Sequence, residues 1–382
     1  MLFAPQVHKT AQLNEILEHV GGALDISEEL REEARHFYKA VGRHLARADS
    51  ELFGYSPAIY PQGSFRLGTM VRPVTKGCDY DVDLVCVLFL TKFQTTQANL
   101  KELVGRELEI AYEAIMKEGR RCWTLQFNTR FHMDVLPSIP DIDLGGTSIL
   151  LTDTNLTRWQ CSDPKAYAVW FEAQMATVVA EMKEAAAFRL RATVDQIPDW
   201  KIRTPLQRAV QILKRHRDLH FRNDVERRPA SIIITTLAAQ AYGGEKSIVD
   251  ALISISEELS MKAQPIDGYF NIPNPVNPKE NFADRWNEDP DRAEHFLTWV
   301  RHLEADLALW IGAEGGLYRL SESMGPAFGS DVVAKAFEGY GRSQASARVA
   351  GNMAMALGSG TLVRPTVPIR SVPVRNHTFF GE

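Results

Sequence analysis

Three aspartates and two pairs of small residues are the parts of this chain whose types and spacing allow chemistry. Asp81 and Asp83 flank Val82 at the head of an apolar run, Leu84 to Leu90. A short apolar run without helical period predicts a buried strand. Side chains alternate along a strand, so both carboxylates leave one face, their backbones roughly 6–7 Å apart. Such charges repel unless a cation lies between them. Hard divalent cations prefer carboxylate oxygen, and Mg2+ typically divides its shell between one or two carboxylates and substrate phosphates. Asp79 shares the face one step earlier; it is placed at the strand mouth, with a ligand role left open.

Upstream stand Gly63-Ser64 and Gly68-Thr69. Glycine lets backbone N–H groups approach an anion, and each hydroxyl adds a donor. A helix beginning near Ser64 would aim its N-terminus at a phosphate. Each half alone is a weak signal, because a lone DxD is more often a solvated turn. In this order and joined to a strand, they resemble the nucleotidyltransferase signature GS-x3-GT followed by D-x-D. That fold needs a third carboxylate on a neighbouring strand. In Phe131 to Pro137, Phe131, Met133 and Val135 form one face; His132, Asp134 and Leu136 form the other. Trp123, Leu125 and Phe127 alternate before a short turn at Asn128-Thr129-Arg130, so a hairpin is expected to carry Asp134 to the sheet surface. Three aspartates suit a two-metal centre for in-line attack on an α-phosphate.

The stretch resembles the bacterial cGAS/DncV-like nucleotidyltransferases (CD-NTases), which make cyclic oligonucleotide signals in CBASS anti-phage systems. The resemblance implies an α+β, two-lobed nucleotidyltransferase (Pol-beta-like) fold, with a mixed sheet core and a helical C-terminal lobe. It implies a catalytic lobe over 1–200 with a lobe-spanning N-terminal helix, a helical lobe over 201–360 closing the nucleotide cleft, and an extended tail over 361–382. Asp81, Asp83 and Asp134 become catalytic and metal-binding, with two Mg2+ (or Mn2+) ions. Gln62, Gly63, Ser64 and Thr69 become triphosphate-binding. Lys214, at the LKR-x-RD position of Leu213 to Asp218, matches a lysine that contacts the triphosphate, and Ser231 matches a serine that assists it. Ser162-Asp163-Pro164 and the NPV-x-P-x-EN element at Asn274–Asn281 recur in the family. The implied activity joins nucleoside triphosphates, ATP and/or GTP, into a cyclic di- or trinucleotide with release of pyrophosphate. Implied partners are a downstream effector of the product and a CBASS regulator or C-terminus-conjugating enzyme; the chain ends Gly381-Glu382 rather than on glycine. Two rivals stand beside this reading: a nucleotidyltransferase extending RNA or another acceptor, and a non-catalytic nucleotide-binding scaffold.

The rest of the chain is read from composition and pattern. Its 382 residues suffice for two lobes, and 45% hydrophobic with 24% charged residues is ordinary globular composition. A net charge of −5 argues against nonspecific nucleic-acid gripping. Cys78, Cys86, Cys122 and Cys161 lack CxxC or zinc spacing and read as reduced, mostly buried thiols. No signal peptide or membrane span is expected, which suggests a cytoplasmic protein. Helices are expected over 10–22, ended by Gly21-Gly22, and from a Ser27 cap to about Ala48. Further helices are expected over 95–121, from an Asp163 cap to about Arg191, from Thr204 through Asp218, from Ser231, from Ser247, and over 290–311 and 331–338. Ile197-Pro198 breaks the chain, and Ile272–Pro278 reads as rigid extended chain. Asp141-Ile142-Asp143, a second DxD, reads as a loop because Gly145-Gly146 follows. The basic run after Leu213 also suits a helix C-terminus. His216 and His220 read as surface or cap residues, lacking cysteine or carboxylate partners at ligand spacing.

Overall fold

The computed structural model describes residues 4–74, 80–127, 131–152, 158–190, 203–314, 316–356, 362–363 and 371–373. Asp79 and Cys78, the turn at Asn128–Arg130, the Ile197-Pro198 break and most of the tail lie outside them.

Two helices open the chain, α1 (Ala4–Leu24) and α2 (Glu28–Leu45). The Ser27 side chain accepts from the Leu30 N–H at the start of α2, and Glu28 and Glu29 occupy its first turn. Gly21-Gly22 does not end α1, contrary to expectation: a Cβ at Gly21 would stand 2.5 Å from Arg208 Cδ. The glycine makes room for a buried guanidinium rather than breaking the helix. Then follow β1 (Ala58–Pro61), the single-turn α3 (Gly63–Leu67) and β2 (Tyr80–Val87). The crossover helix α4 spans Gln97–Tyr112. It stops short of Arg121 because Met116–Glu118 becomes strand β3, paired with β4 (Trp123–Gln126). Strand pairing here overrides a local helical pattern. Lys101 and Glu107 on α4 are buried and structural: Lys101 Nζ donates to Glu118 and the Gly119 carbonyl, and Glu107 pairs with Arg47 at 2.7 Å.

The long β5 (Phe131–Pro140) is the spine of the sheet. It runs parallel to β2 and antiparallel to β4, and its far end pairs with β6 (Ile149–Thr152), which pairs with β7 (Trp159–Ser162). The sheet is therefore mixed, in the order β1-β2-β5-β4-β3 with β6 and β7 attached through β5. Asp141 accepts from the Asp143 and Leu144 N–H groups in a turn, and Asp143 pairs with Lys92, so the second DxD is a loop as read.

The helices after the sheet are α5 (Pro164–Ala173), α6 (Ala176–Leu190), α7 (Pro205–His220), α8 (Ser231–Ala241) and α9 (Ile248–Lys262). Asp163 caps α5, which breaks before α6 instead of running through. Thr204 and Gln207 form a reciprocal capping box on α7, with Pro205 at its first position. Pro273–Asn274 (β8) and Asn277–Asn281 (β9) form a two-stranded ribbon beyond the expected extended chain. It reaches back to the sheet, where Glu280 accepts from Ser162 Oγ. Helices α10 (Asp284–Glu288), α11 (Asp291–Gly312), α12 (Gly316–Phe328) and α13 (Ser330–Val349) follow, α12 beyond the helices that the sequence pattern predicts. Short strands at 354–356, 362–363 and 371–373 form a small sheet.

Two large apolar clusters result. One is built on the sheet with α2 and α4; the other joins the helices from α5 onward and draws in α1. The first two helices thus divide between the clusters. Arg208 on α7 ties the connection between them, pairing with Asp25 at 2.8 Å and Glu18 at 3.0 Å. The loop carrying Gly68-Thr69 is fastened to α7 from below: Gln207 donates to the Leu67 carbonyl and Gln211 to the Met70 carbonyl.

Candidate active site

The parallel pairing of β2 with β5 decides the geometry. Asp83 is in register with Asp134, and Asp81 with His132. Register partners in a parallel pair share a face, and neighbouring strands lie roughly 4.8 Å apart. Val82 and Met133, on the opposite face, are fully buried. The apolar side of each strand thus fixes which side the carboxylates take. Donor atoms of Asp81, His132 and Asp134 lie within 4.8 Å of one another, with His132 Nε2 3.5 Å from Asp81 Oδ1. Thr124, opposite Asp134 on β4, donates its hydroxyl to Asp134 Oδ1 at 2.5 Å.

The cluster is electrostatically strained as it stands. Burial, with the neighbouring charges of Asp81 and Asp134, pushes the Asp83 carboxyl up to about 8; Lys214 acts against this. Asp81 is raised for the same reasons, burial first and then Asp134, opposed by His132 and Lys214. Carboxylates crowded this way are a donor set that a divalent cation relieves, and their oxygens suit Mg2+ or Mn2+, with the His132 nitrogen beside Asp81.

Gly63 lies beside Asp83 with φ +60, and a Cβ there would collide with the Asp83 carboxylate. No other residue allows both that backbone conformation and that approach. Its helix α3 is only five residues long, so little macrodipole adds to its N-terminus. What the turn offers is the N–H groups of its first residues and the half-buried Ser64 hydroxyl. Gln62 spends its N–H on the Asp83 carbonyl, extending the β1–β2 pairing.

These residues form one wall of a cavity of about 650 Å3, and α7 and α8 form the other. Lys214 projects from α7, fully enclosed, with Nζ 3.2 Å from the Thr69 carbonyl and 3.4 Å from Thr69 Oγ1. Burial first, then Arg217, lowers its ammonium to about 7, against the pull of Asp218, Asp83 and Asp81. Thr69 is itself fully buried, so its hydroxyl faces Lys214 rather than open space. Ser231 opens α8 and accepts from Arg217 Nη1 at 2.9 Å.

The structure thus gathers Gly63, Ser64, Thr69, Asp81, Asp83, Lys214 and Ser231 around one cavity, with Asp134 in register beside Asp83; Gln62 is not among the lining residues. Sequence reasoning did not single out Arg217, Asp218 and Arg228, which also line the cavity. Arg217 forks onto Asp218 at 2.6 Å, and Arg228 reaches the same carboxylate at 3.3 Å. The signal lay in the basic run after Leu213, which read as a helix end. Thr124 left no local signal at all, because only the β4–β5 register brings it to Asp134.

His216 departs from its expected surface position. It is 1% exposed, between α7 and α11; its Nδ1 accepts from Trp299 Nε1, and its Nε2 stands 3.0 Å from Asp306 Oδ2. Burial, before the opposing Asp306, lowers its imidazole below the usual range. The carboxylate partner that sequence spacing did not supply comes from the facing helix.

Residues 12–174 match the Second Messenger Oligonucleotide or Dinucleotide Synthetase domain. The chain is 32% identical over 380 residues to a c-di-GMP synthase of Roseivirga ehrenbergii, covering 97% of this chain and 98% of the relative. It is 26% identical to the cyclic dinucleotide synthase CdnG of Bradyrhizobium diazoefficiens, covering 97% and 95%. The solved structure of that organism's CD-NTase CdnG in complex with GTP superposes with a TM-score of 0.68 at 22% identity, over 86% of this chain and 99% of that one.

Proposed function

Since the chain belongs to the bacterial CD-NTases, a family of nucleotidyltransferases, we propose that its cleft joins two nucleoside triphosphates, GTP foremost, into a cyclic dinucleotide. The observation that carries this is the register of Asp83 with Asp134, Asp81 on the same face and Lys214 across the cavity. The relatives described as a c-di-GMP synthase and a cyclic dinucleotide synthase support the product class, and c-di-GMP synthase points to GTP.

Asp81, Asp83 and Asp134 would hold two divalent cations, Mg2+ or Mn2+; when bound, these neutralise charge at the α-phosphate and acidify the attacking ribose hydroxyl. Lys214 faces the triphosphate from the helical wall, and the polyphosphate charge favours its ammonium over the neutral amine. Gly63 leaves space beside Asp83 for an oxygen, and Ser64 donates to a phosphate. Arg217 holds the Ser231 hydroxyl toward the cavity and adds a positive charge. Thr124 fixes Asp134. The ribose oxygen forms a bond to the α-phosphorus, the bond to the β-phosphate oxygen breaks, and pyrophosphate leaves. A second transfer, with the linear intermediate turned round, closes the ring. We also propose the lobe division near residue 200, an effector that reads the product, and a role in anti-phage defence. No helix among the described residues is long and apolar enough to cross a membrane.

The test offers purified protein all four nucleoside triphosphates with Mg2+ or Mn2+, and then resolves phosphatase-resistant products by mass spectrometry. Cyclic guanosine dinucleotide is expected. A growing linear polymer on added RNA, without cyclic species, would replace this reading with acceptor extension.

A further inference from the structure

Away from the carboxylate cleft, α7 and α11 face each other through two pairs of residues at i, i+4 spacing: His216 and His220 on one helix, His302 and Asp306 on the other. Residues four apart share a helix face. His220 Nδ1 and His302 Nδ1 stand 3.1 Å apart. Two imidazole nitrogens on one tetrahedral Zn2+, at 2.0–2.1 Å each, stand roughly 3.3–3.4 Å apart, so the observed separation is close to that of a shared ion. Donor atoms of His302, Asp306 and His216 lie within 4.8 Å of one another. The three histidines line a cavity of about 420 Å3 together with Asn223 and Arg222, while Asp306 lies outside its lining, within reach of His216 and His302.

The hydrogen bonds assign the roles. Trp299 is donor-only, so His216 Nδ1 must accept, and the neutral ring then carries its proton on Nε2. That Nε2–H points at Asp306 Oδ2. His216 is therefore no ligand but a positioning residue that fixes one carboxylate oxygen, as outer-shell hydrogen bonds do at metal centres. Asp306 keeps its other oxygen, and the exposed rings of His220 and His302 turn with little cost. Two imidazoles with one carboxylate and an open position are a donor set for Zn2+ and its first-row neighbours, not for Mg2+.

We propose that His220, His302 and Asp306 form a second, nitrogen-rich cation site, selective for Zn2+-class ions and fixed by the Trp299–His216 relay. Arg222, which also lines the catalytic cavity, is exposed at its rim, where solvent screens its opposing charge.

The test uses the full chain, stripped with chelator and held in excess Mg2+, with a cleft variant separating binding at this site from binding at Asp81, His132 and Asp134. Zn2+ is titrated against a chromophoric competitor, and Co2+ is added separately for its visible absorption. One Zn2+ per chain and a tetrahedral Co2+ band are expected in the wild type. His302→Ala and Asp306→Asn should each weaken that binding by about 10- to 100-fold; far-ultraviolet circular dichroism confirms the fold. An Asp81→Asn/Asp83→Asn variant should keep the Zn2+ affinity and the Co2+ band. No wild-type binding, binding unchanged in both His302→Ala and Asp306→Asn, or binding lost in the cleft variant overturns the proposal.

Discussion

Replacing Asp83 with asparagine should stabilise the metal-free protein in a pH-dependent way. The asparagine keeps the shape of the side chain and removes one of three crowded charges. In the folded chain the Asp83 carboxyl is pushed up from 3.8 to about 8 by burial and by Asp81 and Asp134. A carboxyl with a raised folded pKa favours the folded state's proton, so its ionisation works against folding. The penalty is absent below about pH 4, grows as pH rises towards 8, and is complete above that. At about 1.36 kcal/mol per pH unit, the ceiling is about 5–6 kcal/mol; sharing of protons between Asp83 and Asp81 brings the expected gain to about 2–4 kcal/mol. The assay is denaturant unfolding of wild type and Asp83→Asn in chelator, at pH 5 and pH 8.5. The two should differ far more at pH 8.5 than at pH 5, with the variant the more stable. Added Mg2+ should stabilise the wild type and do little for the variant. Parallel pH profiles, or a less stable variant at pH 8.5, would refute the electrostatic reading of this cluster.

Other consequences follow from single contacts. Lys214→Met should lower kcat/KM for GTP by roughly 10- to 100-fold, since a charged hydrogen bond is worth about 1.5–3 kcal/mol; steady-state kinetics reads it. Thr124→Val removes the hydroxyl that holds Asp134 and should cost about tenfold in activity while thermal stability hardly moves, a separation that activity and melting measured together reveal. Gly63→Ala places a methyl against Asp83 at positive φ and should abolish turnover, with circular dichroism showing an intact fold. Arg208→Ala removes the buried guanidinium that pairs with Asp25 and Glu18 between the two clusters, leaving Asp25 to Gln211 and Arg203, and should destabilise the chain by about 1–3 kcal/mol in chemical unfolding.

What could be read from the sequence was what local chemistry encodes. The strand carrying Asp81 and Asp83, the Thr204-Pro205 start of α7 and the Ser247 cap of α9 each rest on residues a few positions apart. Alternation in β5 placed Asp134 on the polar face, but only the parallel pairing with β2 puts it beside Asp83. Met116–Glu118 continues a helical pattern and becomes a strand because β4 offers it a partner. Gly21 looked like a stop signal and is a space for Arg208, a residue almost two hundred positions away. His216 lacked a ligand-spaced partner in sequence because Asp306 arrives from another helix. Local rules fail here wherever the deciding atom belongs to a distant element.

The account's central claim is best tested by the balance of the reaction. Wild type and Asp134→Asn are incubated with Mg2+ and GTP labelled at the α-phosphate; pyrophosphate is counted, and after phosphatase the labelled cyclic dinucleotide is separated from linear dinucleotide and from inorganic phosphate. Two pyrophosphates for each cyclic dinucleotide from the wild type, with neither product from the variant, is the predicted result. Pyrophosphate release with label only in linear dinucleotide or inorganic phosphate, or equal turnover by the variant, would contradict it.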